Sequence, residues 1–251
     1  MNAVKKLANI SSLLFAAASL TAIAGCGGAQ SLAHDFPDDR PADVRAVLDR
    51  LAAAGPRRDD EVVVGLTPEP MRLWAWDIAA GRTRWEQPVQ AETMPHVAGD
   101  YVVVQEPGGI VVRRLADGSI ATRFDDGELT LSGADGEGEL AAIALSTGGA
   151  VGARSRLVAV RGGSVAWQLA MDQAIGEPAV RAGMVFLPWA QQNLSVLDGS
   201  GGAEIARVRF TRGVVGHAIA QGSDVLFGQR GLSRLTEQTS SAADAPWLEP
   251  L

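Results

Sequence analysis

Short β-type runs recur along this 251-residue chain at a nearly constant interval, and that recurrence limits its possible folds more than any other feature. The runs are Glu61–Gly65, Asp100–Gln105, Glu139–Leu145, Met184–Leu187 and Asp224–Gly228. Counted from Val62, Tyr101, Leu140, Met184 and Val225, the steps are 39, 39, 44 and 41 residues. A β-rich unit of about 40 residues is the size of a four-stranded propeller blade, which cannot bury its two faces alone. Helical repeats of similar length need an apolar period of about 3.6 residues, which these units lack. The 29 glycines and 12 prolines argue the same way, because both interrupt helices and here follow no collagen-like triplet. The expected fold is all-β, a propeller with about five visible four-stranded blades.

The second half of each unit is patterned as well. Its clearest copy is Leu73-Trp74-Ala75-Trp76-Asp77, then Gly81, then Trp85. Weaker copies are Leu115 with Asp117-Gly118 and Phe124, Gly162-Gly163 with Trp167, and Val196-Leu197-Asp198 with Gly201-Gly202 and Val208. Each copy predicts a strand, a tight turn with glycine at positive φ, and a return strand closing on a large apolar residue. In most copies an acidic residue opens that turn. Trp85 and Trp167 are expected between blades, with the indole N–H bonded to backbone. Trp189, beside Pro188, and Trp247 are the expected exposed aromatics that would mark a binding rim.

These intervals resemble the quinoprotein-type (PQQ-like) β-propeller repeat family, whose unit is an apolar strand, Leu-Asp, a Thr-Gly turn and a tryptophan four residues later. Asp77, Gly81 and Trp85 stand at those intervals, and Gly163 and Trp167 keep the last of them. The resemblance covers residues 59–236, with Ala80 in place of the usual threonine and the other copies degenerate. A WD-repeat reading of Trp76-Asp77 lacks the Gly-His that opens such a unit. Five units are fewer than the family's usual seven or eight, so the ring is small, hides a degenerate blade or is cut short.

The resemblance implies that enzymatic members hold a quinone and calcium with acidic catalytic residues, often beside a vicinal cysteine pair. Cys26 is the only cysteine, so that pair is absent. The acidic clusters Asp59-Asp60-Glu61, Asp125-Asp126 and Asp135, Glu137, Glu139 read as solvated turns. In the last of these, Leu140 and Ser146 occupy the places where a calcium loop needs glycine and glutamate. His34, His96 and His217 match no zinc spacing, and the latter two precede repeat strands near the expected channel. No catalytic residue, metal or cofactor is assigned. The resemblance implies a protein-binding scaffold; a quinoprotein dehydrogenase-like enzyme and a ligand-sensing or surface-binding propeller are the alternatives.

The amino end gives an address. Lys5 and Lys6 precede an apolar stretch from Leu13 to Ala24, too short for a membrane span, and Ile23-Ala24-Gly25-Cys26 resembles the bacterial lipobox. The expectation is a signal peptide over 1–25, acylation of Cys26, a tether with a short helix over 26–58, the propeller over 59–236 and a tail over 237–251. The helix spans Pro41–Ala54, with Val44, Val47, Leu48 and Leu51 on the face that packs on its own domain. Gly27 after the cysteine points, by resemblance to enterobacterial sorting, to the outer membrane, facing the periplasm or the cell surface. The implied partners are the membrane, through acyl chains, and envelope proteins. Nucleic acid is not among them: the net charge is −7, and after Lys6 the basic residues are dispersed arginines.

Overall fold

The computed structural model describes residues 30–33, 44–57, 61–148, 153–209, 214–229, 231–235 and 248–250. Cys26, His34 and Trp247 lie outside them. The chain enters through strand β1 (Gln30–Ala33) and helix α1 (Val44–Ala54) and then builds five sheets in sequence order. The first holds β2 (Val62–Pro68), β3 (Met71–Asp77) and β4 (Arg82–Pro88). The second holds β5 (His96–Ala98), β6 (Tyr101–Glu106), β7 (Gly109–Arg114) and β8 (Ile120–Phe124). The third holds β9 (Thr130–Glu137), β10 (Leu140–Ser146), β11 (Ser155–Arg161) and β12 (Ser164–Met171). The fourth holds β13 (Ala179–Arg181), β14 (Met184–Trp189), β15 (Asn193–Asp198) and β16 (Glu204–Arg209). The fifth holds β17 (His217–Gln221), β18 (Asp224–Gly228), β19 (Leu232–Leu235) and β20 (Leu248–Pro250).

Within every sheet consecutive strands pair antiparallel, and the first strands of the later blades, β5, β9, β13 and β17, lie side by side, as in the blades of a β-propeller. The recurring runs are β2, β6, β10, β14 and β18. Strands β6 and β14 are buried along their whole length, because both faces of the blade are covered. Apolar clusters fill the gaps between successive blades: Leu73, Trp85 and Val102 between the first and second, Ile110, Ile143 and Val158 between the second and third, Trp167, Leu187 and Leu197 between the third and fourth. Between the fourth and fifth, Phe186, Val196 and Phe227 are joined by Val44, Val47 and Leu51 of α1. The helix therefore packs on its own domain, and Gly55 at φ +67° ends it.

Three features depart from the expected architecture. The first blade has three strands among the described residues, because the chain ahead of β2 is spent on α1 and on Arg57, whose N–H donates to Gly222 O at 2.8 Å. The tail is not outside the propeller: Leu248–Pro250 supplies the outer strand of the fifth blade. The third sheet carries a fifth strand, since β1 pairs parallel with β12.

Gly136 shows how closely the inner strands approach one another. A Cβ there would lie 2.4 Å from the Ala98 carbonyl carbon on β5. Backbone cannot yield as a side chain tip does, so Gly136→Ala is expected to lower the unfolding free energy by about 1–3 kcal/mol, read as a shift in urea midpoint.

Candidate functional site

The inner strands enclose an axial cavity of about 390 Å³, lined by Arg57, His96, Asp135, Glu137, Glu177 and Ile219 among others. Its charges are largely committed to one another. Arg57 donates Nη1 and Nη2 to Asp135 at 3.0 and 2.9 Å, and Asp135 Oδ2 also accepts the Val180 N–H at 2.7 Å. Arg181, only 1% exposed, donates to Glu137, to Gly55 O and, at 3.1 Å, to Gly222 O. Glu137 Oε2 accepts the Ala182 N–H at 2.6 Å. Asp135 and Glu137 are thus not the solvated turn expected from their glycine-rich surroundings. They sit two apart on β9, so the strand period puts both carboxylates on one face, toward arginines distant in sequence.

Toward the start of the inner strands His217 Nδ1 lies 3.1 Å from Glu177 Oε2, while burial pulls the His96 imidazole below its ordinary pKa against the opposing pull of Glu177. A histidine held neutral by burial binds its proton more weakly folded than unfolded. Its contribution to stability is therefore complete above about pH 6.5 and is lost as the pH falls through the folded pKa. Stability is expected to rise with pH to about 6.5, and His96→Gln to flatten that rise in denaturant titrations run across the range. Among the described residues, no three His, Cys, Asp or Glu side chains are grouped to hold a metal.

The repeat residues have local and inter-blade tasks. Asp77 Oδ1 accepts the Ala80 N–H at 2.8 Å, and that bond, followed by Arg84, holds the carboxyl below the usual range. The Ser119 hydroxyl and N–H do the same for Asp117. The Ser200 hydroxyl does so for Asp198, outweighing partial burial, with its N–H and Arg50 assisting. Gly81, Gly118 and Gly163 all have positive φ, and a Cβ on Gly118 would also lie 2.7 Å from the Trp85 ring. Trp85 donates its indole N–H to Leu115 O at 2.7 Å, and Trp167 donates to Gly199 O at 3.0 Å. Each tryptophan fastens the outer strand of its blade to the following one.

Trp189 is not an exposed rim residue. It ends the covered central strand β14, is 7% exposed, and donates to Ser195 Oγ at 2.8 Å. Ser195 in turn donates to Glu204 at 2.6 Å, and Arg207 grips Glu204 at 2.8 and 2.9 Å with its guanidinium 5.3 Å from the Trp189 ring centroid. Cys26 and Trp247 fall outside the described residues.

Among the described residues the exposed aromatic is instead Trp76, which its place in the repeat did not single out for exposure. On β3, Leu73 and Ala75 face the second blade, so Trp74 and Trp76 face the other way. Trp76 is 40% exposed, opposite Val63 at 46%, with Ile78 at 54% just beyond the strand. Neither Val63 nor Trp76 belongs to any buried apolar cluster among the described residues.

Residues 40–124, spanning α1 and the first two blades, match the family model described as outer membrane protein assembly factor BamB. Solved structures similar to the chain include BamB from Moraxella catarrhalis, at 16% identity over 71% of this chain and 58% of that one, with a TM-score of 0.45. Others are the Cps50 (Swd1) β-propeller domain of Myceliophteria thermophila (14%, 78% and 71%, 0.47) and the computationally designed Ika8 protein (15%, 70% and 54%, 0.48). The chain thus spans less than two thirds of the length of the BamB structure. No curated protein matches it.

Proposed function

We propose that this chain, whose residues 40–124 carry the repeat of the outer membrane assembly factor BamB family, is a lipid-anchored, non-catalytic propeller that binds other envelope proteins. The observation that carries this reading is the exposed apolar flank of the first blade. A side of sheet bearing Val63, Trp76 and Ile78 is an apolar surface of the kind that marks a protein-binding site. Strand β2 borders it with an edge that pairs with no other described strand. Anchoring follows from the lipobox-like segment ending at Cys26, and the outer membrane from Gly27 after it. Among the described residues no helix is long and apolar enough to cross a membrane.

The axial carboxylates do not suit a quinone and calcium centre. Asp135 and Glu137 are each engaged by an arginine and a backbone N–H, and a vicinal cysteine pair is impossible with one cysteine. The test is gentle detergent extraction of the tagged protein from native membranes, with mass spectrometry of what accompanies it. An outer-membrane barrel complex is the expected companion. Val63→Thr with Trp76→Ser is expected to cut its recovery at least about tenfold while changing stability by no more than about 0.5 kcal/mol, as surface substitutions do. Recovery of the propeller alone overturns the reading.

A further inference from the structure

We propose that the outer rim of the third blade is the surface held against the lipid bilayer, because the chain's own amino-terminal strand moors it there. Strand β1 runs parallel to β12 with Gln30 opposite Trp167, Ser31 opposite Gln168, Leu32 opposite Leu169 and Ala33 opposite Ala170. Strand β12 is otherwise the outermost of its blade, an edge with main-chain groups free to pair. The pairing is strand addition within one chain: backbone hydrogen bonds fix the segment at this blade and no other.

Cys26 stands four residues before Gln30. Fully extended, four residues reach at most about 14 Å, so acyl chains on Cys26 would keep β12 within that distance of the lipid headgroups. Without the pairing, the leash would run eighteen residues from Cys26 to Val44. That length reaches about 60 Å when extended and allows any face of the propeller to approach the membrane. Strand β8, outermost in the second blade, lies beside β12 and presents Ile120 at 54% exposure on the same rim. An apolar side chain there suits the headgroup boundary rather than water. The first blade, two blades round, is thereby kept off the lipid with its flank open to protein.

The inference rests on acylation of Cys26, and the experiment separates the two. Because Cys26 is the only cysteine and its sulfur carries the acyl group, one engineered cysteine can be labelled selectively. The acylated full chain would be reconstituted in phosphatidylethanolamine–phosphatidylglycerol vesicles containing lipids with nitroxide headgroups. A fluorophore would be placed at Ser164→Cys, at the start of β12, or at Thr67→Cys in the first blade, both exposed. Quenching at 164 is expected to exceed that at 67 at least about fivefold. The double substitution Ser31→Pro and Leu32→Pro removes two successive main-chain donors, which point to opposite sides of the strand. It is expected to erase that difference while the protein still floats with the vesicles. Equal quenching in the unaltered protein overturns the mooring and leaves the anchor standing. If Cys26→Ser still fractionates with native membranes, the anchor fails and the mooring fails with it.

Discussion

Replacing Trp167 with alanine is expected to lower the unfolding free energy by about 3–5 kcal/mol, the range for removing a fully buried tryptophan, and to move the urea midpoint accordingly. The side chain is completely buried between the third and fourth blades, where it touches the cluster containing Leu187 and Leu197. Its N–H also satisfies Gly199 O, so the loss combines a cavity with an orphaned carbonyl. Trp167→Phe separates the two: it keeps most of the volume and is expected to cost about 1–3 kcal/mol, chiefly for the missing donor. Equal losses for the two variants would mean that the hydrogen bond, rather than the packing, holds these blades together.

The second large effect is expected at Arg181. This guanidinium is almost wholly buried and serves Glu137, Gly55 O and Gly222 O, joining the exit of α1 to the third, fourth and fifth blades. Arg181→Ala removes the charged partner of Glu137, which keeps the Ala182 N–H, and the side-chain donor of Gly55 O and of Gly222 O, the latter keeping the Arg57 N–H. With Glu137 partly exposed, the loss is expected at about 2–4 kcal/mol. Lysine restores the charge but presents a single point in place of a planar fork, so Arg181→Lys is expected to recover less than half of the loss. Denaturant titrations of the three proteins decide this. Full recovery by lysine would show that only charge matters at the site.

Much of the fold was legible because the buried strands announce themselves. Tyr101–Glu106 and Met184–Trp189 are covered on both faces, which turns alternation into a continuous apolar run. The face of α1 was legible through Val44, Val47 and Leu51, which depend only on helical period. What stayed hidden depends on partners remote in sequence. Asp135 and Glu137 look like loop residues until Arg57 and Arg181 arrive from elsewhere. Trp189 looks like a rim residue beside Pro188 and two glutamines until Arg207 and Glu204 close over it. That the first blade has three strands among the described residues was equally hidden, since a repeat count registers units and not whether each is whole.

The axial arginine also constrains the order in which the chain can become native. Gly55 and Arg181 are 126 residues apart, so the helix exit has no binding site until the fourth blade has been made. Contacts of such separation carry the loop-closure cost before they return any stabilisation, which slows folding. A chain emerging amino end first would keep its leading segment undocked while the rest followed. Moving that segment behind the fifth blade by circular permutation would be expected to speed folding.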